Sequence, residues 1–228
     1  MPREIIVTDL TRLKKDKVCL AGIDPINAEL IRPTPYLGQQ ECITRRILPG
    51  SKIRAEFVKI ADAKPPHVED YQWKNWNVVG SATSAEFHDL LAAISSPSIC
   101  EGFGIEINDK CIPVDSAPGH SIITVKTMVK LHSGYGNDLS KIKATITDAA
   151  GLALRYLTVN DFRFYQFAQE KQSRADLAHL NKFINSQSEI FIRLGLTRFY
   201  NTDGRSGYWL QINGIYTFPD FFESDAFV

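Results

Sequence analysis

The sequence predicts a mainly β protein with short helices, arranged as two tandem OB-like small β-barrels. Three observations carry that prediction. Most apolar segments are of strand length and end in Gly, Pro, Asn or Asp turns. Only a few segments show helical periodicity. The second half runs as three strands, a helical segment and two strands, the order of an OB barrel, and the first half follows the same order more loosely. The 228 residues suffice for one large domain or two small ones. The expected division is an N-terminal barrel with an inserted loop and helix over residues 1–118 and a C-terminal barrel over 119–228, joined at Ser116–Gly119. No residue-level repeat links the halves.

In the first half, Glu4 to Leu10 and Lys17 to Asp24 read as strands, and a turn at Pro25–Ala28 returns the chain through Glu29 to Arg32. Arg32-Pro33-Thr34-Pro35 is extended, because each proline disfavours helix in the residue before it. Ser51 to Ile60 alternates, with Ile53, Ala55 and Phe57 on one face and Lys52, Arg54 and Glu56 on the other. The proline-containing stretch from Lys64 to Trp73 reads as a loop. Ser84 is expected to cap a helix to about Ser95, with Phe87, Leu90, Leu91 and Ile94 as its stripe. Phe103–Ile107 and Lys110–Val114 are expected to form a hairpin around Asn108-Asp109.

In the second half, Ile122–His132, Lys141–Asp148 and Leu152–Val159 read as strands, with a glycine-bearing loop at Ser133–Asn137. Two short helices follow. Phe164 and Phe167 face inward from the first, and Ser173 caps the second, whose apolar face is Leu177, Leu180 and Ile184. Ile190–Tyr200 and Tyr208–Phe218 close the pattern.

The composition is that of a packed globular chain, with 44% hydrophobic residues. Twenty-six basic residues balance 26 acidic ones, so net charge alone does not point to nucleic acid. Basic residues nevertheless concentrate in two blocks, 12 against 8 acidic from Arg3 to Lys64 and 12 against 7 from Gly119 to Gln211, separated by an acidic block. The N-terminus lacks a signal core and no apolar run is long enough to span a bilayer, so the expectation is a cytoplasmic protein without a membrane partner. Cys19, Cys42, Cys100 and Cys111 form no CxxC pair, which argues against a structural zinc site or disulfide scaffold. No P-loop, dinucleotide fingerprint, nucleophile elbow or HExxH is present, and no cofactor or metal is expected.

The segments IIVTDLTR, VCLAGID, LIRPTPY, PPHVEDYQW, LTRFY and YWLQINGIYTFPDF, spread from Glu4 to Phe222, resemble the dual OB-containing domain family. The resemblance implies two tandem OB-like barrels and a role in nucleic-acid recognition or in microbial conflict systems. It transfers no catalytic motif.

OB barrels hold single strands by stacking bases on aromatic rings while a basic groove follows the phosphates. The second half offers Arg193, Arg198, Tyr200, Tyr208, Trp209 and Gln211 for this. Along Ile190–Tyr200, Ile192, Leu194 and Leu196 have core parity, which leaves Arg193 outside. Trp209 reads either as a stacking platform or as core. The first half offers Arg32, held by the prolines after it, with Arg45, Arg46, Lys52 and Arg54, which read either as phosphate contacts or as surface ion pairs. The expected partner is therefore single-stranded DNA or RNA. Two alternatives stand beside it. His67, Glu69 and Asp70 with Asp9 could serve a metal-dependent enzyme acting on nucleotides or nucleic acid, or simply stabilise a loop. The exposed aromatics could instead meet a protein partner, making the chain a subunit of a complex.

Overall fold

A computed structural model describes residues 1–134, 140–170, 173–202 and 204–221. Tyr135–Asn137 of the loop expected at Ser133–Asn137, and Phe222, lie outside the described residues.

The first three strands, β1 (Arg3–Arg12), β2 (Lys17–Ile23) and β3 (Leu30–Thr34), form an antiparallel meander. A two-residue strand, β4 (Leu37–Gly38), pairs with β2 and leads into a short helix, α1 (Gln39–Thr44). The chain then forms β5 (Ser51–Lys59), antiparallel to β1, and β6 (Asp70–Ser81), antiparallel to β5 and parallel to β3. These pairings close a five-stranded barrel in the OB order. Ile5, Val7, Leu20, Ile31, Ile53 and Trp73 are among the residues filling it.

A linking helix, α2 (Ser84–Ala93), is capped by Thr83, one residue before the expected Ser84, in a reciprocal capping box with Glu86. It is followed by β7 (Ser95–Ser96), α3 (Ile99–Phe103), β8 (Cys111–Ile112) and a 3-10 turn at Val114–Ser116. The second circuit contains β9 (Ile122–Ser133), β10 (Ile142–Asp148), β11 (Ala153–Val159), β12 (Glu189–Leu196) and β14 (Arg205–Phe218). Here β9, β10 and β11 form the meander, β11 runs parallel to β14, and β12 pairs antiparallel with both β14 and β9. Between β11 and β12 lie α4 (Phe162–Glu170) and α5 (Arg174–Ser186), the latter capped by Ser173 as expected. A short β13 (Tyr200–Thr202) folds back on β14 as a hairpin.

Two local expectations fail for physical reasons. The stretch expected to be loop up to Trp73 enters β6 at Asp70. Tyr71 and Trp73 are buried on alternate positions while Gln72 and Lys74 are exposed, so two aromatic rings supply the strand periodicity. The hairpin expected around Asn108-Asp109 does not form. Phe103 ends α3, and Cys111–Ile112 pair with Tyr208 and Trp209 of β14 instead. Before residue 118, β7 pairs with β9, and Ile99 and Phe103 of α3 and Ile112 of β8 pack in the second core.

The barrels interlock. Phe162 leaves the second unit and is fully buried in the first barrel's core. Arg12 donates its backbone N–H to Asn160, and its guanidinium lies 4.0 Å from the Tyr165 ring centre. A separate apolar cluster of Ile6, Phe87, Leu91, Phe191, Tyr216 and Phe218 fills the seam with α2.

Candidate nucleic-acid interface

Two β-bulges shape the face where the barrels meet. In β1, Val7 faces Gly22 but Asp9 faces Ala21, so Thr8 is the extra residue. Simple alternation would place Asp9 inside with Ile5 and Val7. The bulge turns it outward, toward the second barrel. In β14, Arg193 faces Gly214 but Leu194 faces Ile212, so Asn213 is the extra residue. The Asn213 amide lies over Gly195, where an added Cβ would stand 2.3 Å from Nδ2, so only glycine admits this placement.

Between these bulges lies a cleft of about 380 Å³, within the range of small-ligand sites. Its first-barrel wall comprises Asp9, Cys19, Arg32, Tyr36 and His67, with Leu13 and Lys14 from the β1–β2 loop. Its second-barrel wall runs from Leu196 through Arg198, Phe199 and Tyr200, with Gln211 and Asn213.

Most charge in the floor is internally paired. Arg32 donates from Nε to Asp70 Oδ1 at 2.6 Å, from Nη1 to Ser121 Oγ at 3.1 Å, and from Nη2 to His67 Nδ1 at 2.9 Å. Arg198 donates to Asp70 Oδ2 at 2.6 Å and to the Tyr36 hydroxyl at 3.3 Å. Burial alone would raise the Asp70 carboxyl, but the hydrogen bonds and charges of Arg32 and Arg198 outweigh it and hold Asp70 below the usual carboxylate range. Ser121 also donates to Glu69. Cys19 is kept as a neutral thiol, pushed up to about 11 chiefly by burial.

Arg193 and Asp9 form the deepest pair, at 2% and 1% side-chain exposure. Arg193 donates from Nε and Nη2 to Asp9 Oδ2 at 2.9 and 2.7 Å, and from Nη1 to Thr124 at 2.8 Å. The same Oδ2 accepts the Thr8 hydroxyl at 2.7 Å. Asp9 Oδ1 is buried with no hydrogen-bond partner among the described residues.

His67 joins the barrels in one tautomer. A guanidinium can only donate, so Nδ1 accepts from Arg32; Nε2 therefore carries the hydrogen and donates to the Thr197 carbonyl at 3.1 Å. Burial, then the charges of Arg32 and Arg198, push His67 down to about 3. With both nitrogens engaged and the ring neutral, it is poorly placed to shuttle protons. Because its folded pKa lies below the ~6.5 of an unfolded histidine, the unfolded chain binds the proton first as pH falls. Stability is thus fully present above pH ~6.5 and lost below it, by up to about 1.4 kcal/mol per pH unit from this group. Urea unfolding between pH 7 and 5 should show that loss, and His67→Gln should flatten it.

The sequence-predicted residues separate by position. Arg32, Arg198, Tyr200 and Gln211 line the cleft, as do Asp9 and His67. Tyr208 is partly buried against the second core, its ring edge-on to His67, and Trp209 lies under Arg205 with its indole donating to the Tyr200 carbonyl at 3.4 Å. Arg193 is outside its own barrel, as parity requires, but the first barrel covers it, so it does not meet solvent. Arg45, Arg46, Lys52 and Arg54 lie elsewhere, the first two in the turn after α1 and the last two on β5. Arg45 sits over Trp76 at 4.6 Å, Lys52 reaches Glu86 at 3.3 Å, and Arg46 and Arg54 are exposed. Glu69 and Asp70 are buried behind the arginines. Lys14, Tyr36, Phe199 and Asn213 are additions. Lys14 was legible as part of a basic turn between two strands, whereas Asn213 depends on a bulge that alternation does not reveal. Among the described residues no cluster of His, Cys, Asp and Glu has metal-binding geometry, and no helix is long and apolar enough to cross a membrane.

No family model and no curated protein matches the chain. Among solved structures it is similar to the tetrameric p202 HIN2, at 15% identity over 95% of this chain and 90% of that one, with a TM-score of 0.34. It is also similar to a structure described under the molecular basis for abrogation of activation of pro-inflammatory cytokines, at 9% identity over 94% and 93%, with a TM-score of 0.37.

Proposed function

We propose that this protein is a nucleic-acid-binding module without chemistry of its own, holding a single strand across the mouth of the inter-barrel cleft. The observation that carries the reading is the convergence there of a basic loop and an aromatic hairpin. Lys14 comes from the β1–β2 loop of one barrel, and Arg198, Phe199 and Tyr200 come from the β12–β14 connection of the other. Phe199 and Tyr200 are 57% and 52% exposed. Exposed rings beside cations suit bases and phosphates together. The resemblance to the dual OB-containing domain family supports the same role, in a cytoplasmic microbial defence or nucleic-acid-processing system. The enzymatic alternative does bring Asp9 and His67 to one cleft, but His67 has no free nitrogen and Asp70 spends both oxygens on guanidinium groups.

Fluorescent single-stranded DNA and RNA, titrated with the protein at low and moderate salt, test the reading. Binding at micromolar or tighter dissociation constants is expected to weaken as salt rises, with a log–log slope of about −0.7 per phosphate neutralised. No binding at low salt would overturn it.

A further inference from the structure

We infer that the cleft receives one unstacked nucleobase bearing an exocyclic amino group, read by Asp9 and Asn213. The inference rests on the binding reading above and assigns that site its ligand. Two bulges, one from each barrel, bring a hydrogen-bond acceptor and a donor to the same cavity. Asp9 Oδ2 is committed to Arg193 and Thr8, while the buried Oδ1 is unpartnered and asks for an N–H. Leaving a buried carboxylate oxygen unpaired is costly, and a site that does so rewards a ligand that supplies the missing hydrogen. Asn213 Oδ1 accepts from Gln211 at 2.9 Å, which leaves its amide nitrogen without a hydrogen bond among the described residues.

An amino group beside a ring nitrogen or carbonyl, as in cytosine, adenine or guanine, matches this acceptor and donor. The ring N–H of uracil or thymine is flanked by two carbonyl oxygens, which would crowd against the carboxylate. Phe199 and Tyr200 at the rim would hold the neighbouring nucleotides by stacking.

The test compares oligo(dT) with the same strand carrying one central dC or dA, at a salt concentration where both are measurable. Free cytidine, adenosine and uridine are added separately in thermal-shift experiments. The substituted strands are expected to bind about tenfold tighter than oligo(dT), the value of one hydrogen bond to a charged group. Asn213→Ala should shrink the preference, and Asp9→Asn should abolish it. Because Asp9→Asn also weakens the pair with Arg193, the wild-type preference and the Asn213 variant decide the matter if that protein does not fold. Equal, salt-sensitive binding of all strands would overturn the base pocket and leave the strand-binding reading standing. Stabilisation by cytidine or adenosine but not uridine, with no strand bound, would support the pocket and remove the strand reading, making a free nucleoside or nucleotide the ligand. Neither strand binding nor nucleoside stabilisation would overturn both.

Discussion

Arg193→Met is expected to destabilise the protein by about 3–5 kcal/mol, because it leaves Asp9 as an uncompensated carboxylate in the seam between the barrels. For a chain of this size that corresponds to a fall in Tm of about 6–20 °C. Three guanidinium hydrogen bonds disappear at once, to Asp9 twice and to Thr124 once. The double variant Asp9→Leu/Arg193→Met should recover most of the loss, since replacing a buried ion pair by apolar groups of similar size is often neutral or better. Urea unfolding of the wild type, both single variants and the double variant gives the coupling directly. A change within about 0.5 kcal/mol for Arg193→Met would mean that the residue faces solvent.

That expectation reverses the role alternation suggests for Arg193, and the reason is general to this chain. Strand parity separates the inside of a barrel from its outside, and it does so correctly for Ile192, Leu194 and Leu196, all buried in the second core. It does not say whether the outside meets water or a second barrel. Phe191 and Arg193 share the outer face of β12, and both are buried, Phe191 in the apolar cluster with α2 and Arg193 against Asp9 of the first barrel. The same blindness applies to β1, where residues 5 to 11 are buried on both faces.

Elsewhere the strands of the second barrel, the α5 cap at Ser173 and the face of Ile53, Ala55 and Phe57 were legible from periodicity and capping chemistry alone. The helix α1 was not, because Gln39–Thr44 buries only Cys42 and so carries no apolar stripe. For the site, Arg32, Arg198, Tyr200 and Gln211 were reachable as polar or aromatic residues at strand ends. Their meeting with Asp9 and Asn213 was not, since it depends on two bulges and on how the barrels dock. The four remaining basic candidates of the first half do not line the cleft. A run of Arg and Lys on an exposed strand or helix is what a solvated surface also looks like, and Lys52 and Arg45 are occupied by Glu86 and Trp76.

Removing the rim rings should separate stacking from charge. Phe199→Ala or Tyr200→Ala is expected to weaken single-strand binding by about 5- to 150-fold, the equivalent of ~1–3 kcal/mol for one stacked base. The double variant should lose more than either single variant. Stability should stay within about 0.5 kcal/mol, because both rings are more than half exposed. Neither change removes a cation, so the salt slope should not move. Lys14→Ala should do the opposite, costing less affinity at moderate salt and making the slope shallower by about 0.7 if Lys14 neutralises one phosphate. Equilibrium titrations of the wild type and the four variants at several salt concentrations resolve the two behaviours. Loss of affinity with an altered slope in the ring variants would mean that the hairpin itself had moved, taking Arg198 with it. Unchanged affinity in the double variant would place the strand away from the cleft mouth and overturn the assignment of the hairpin as its stacking platform.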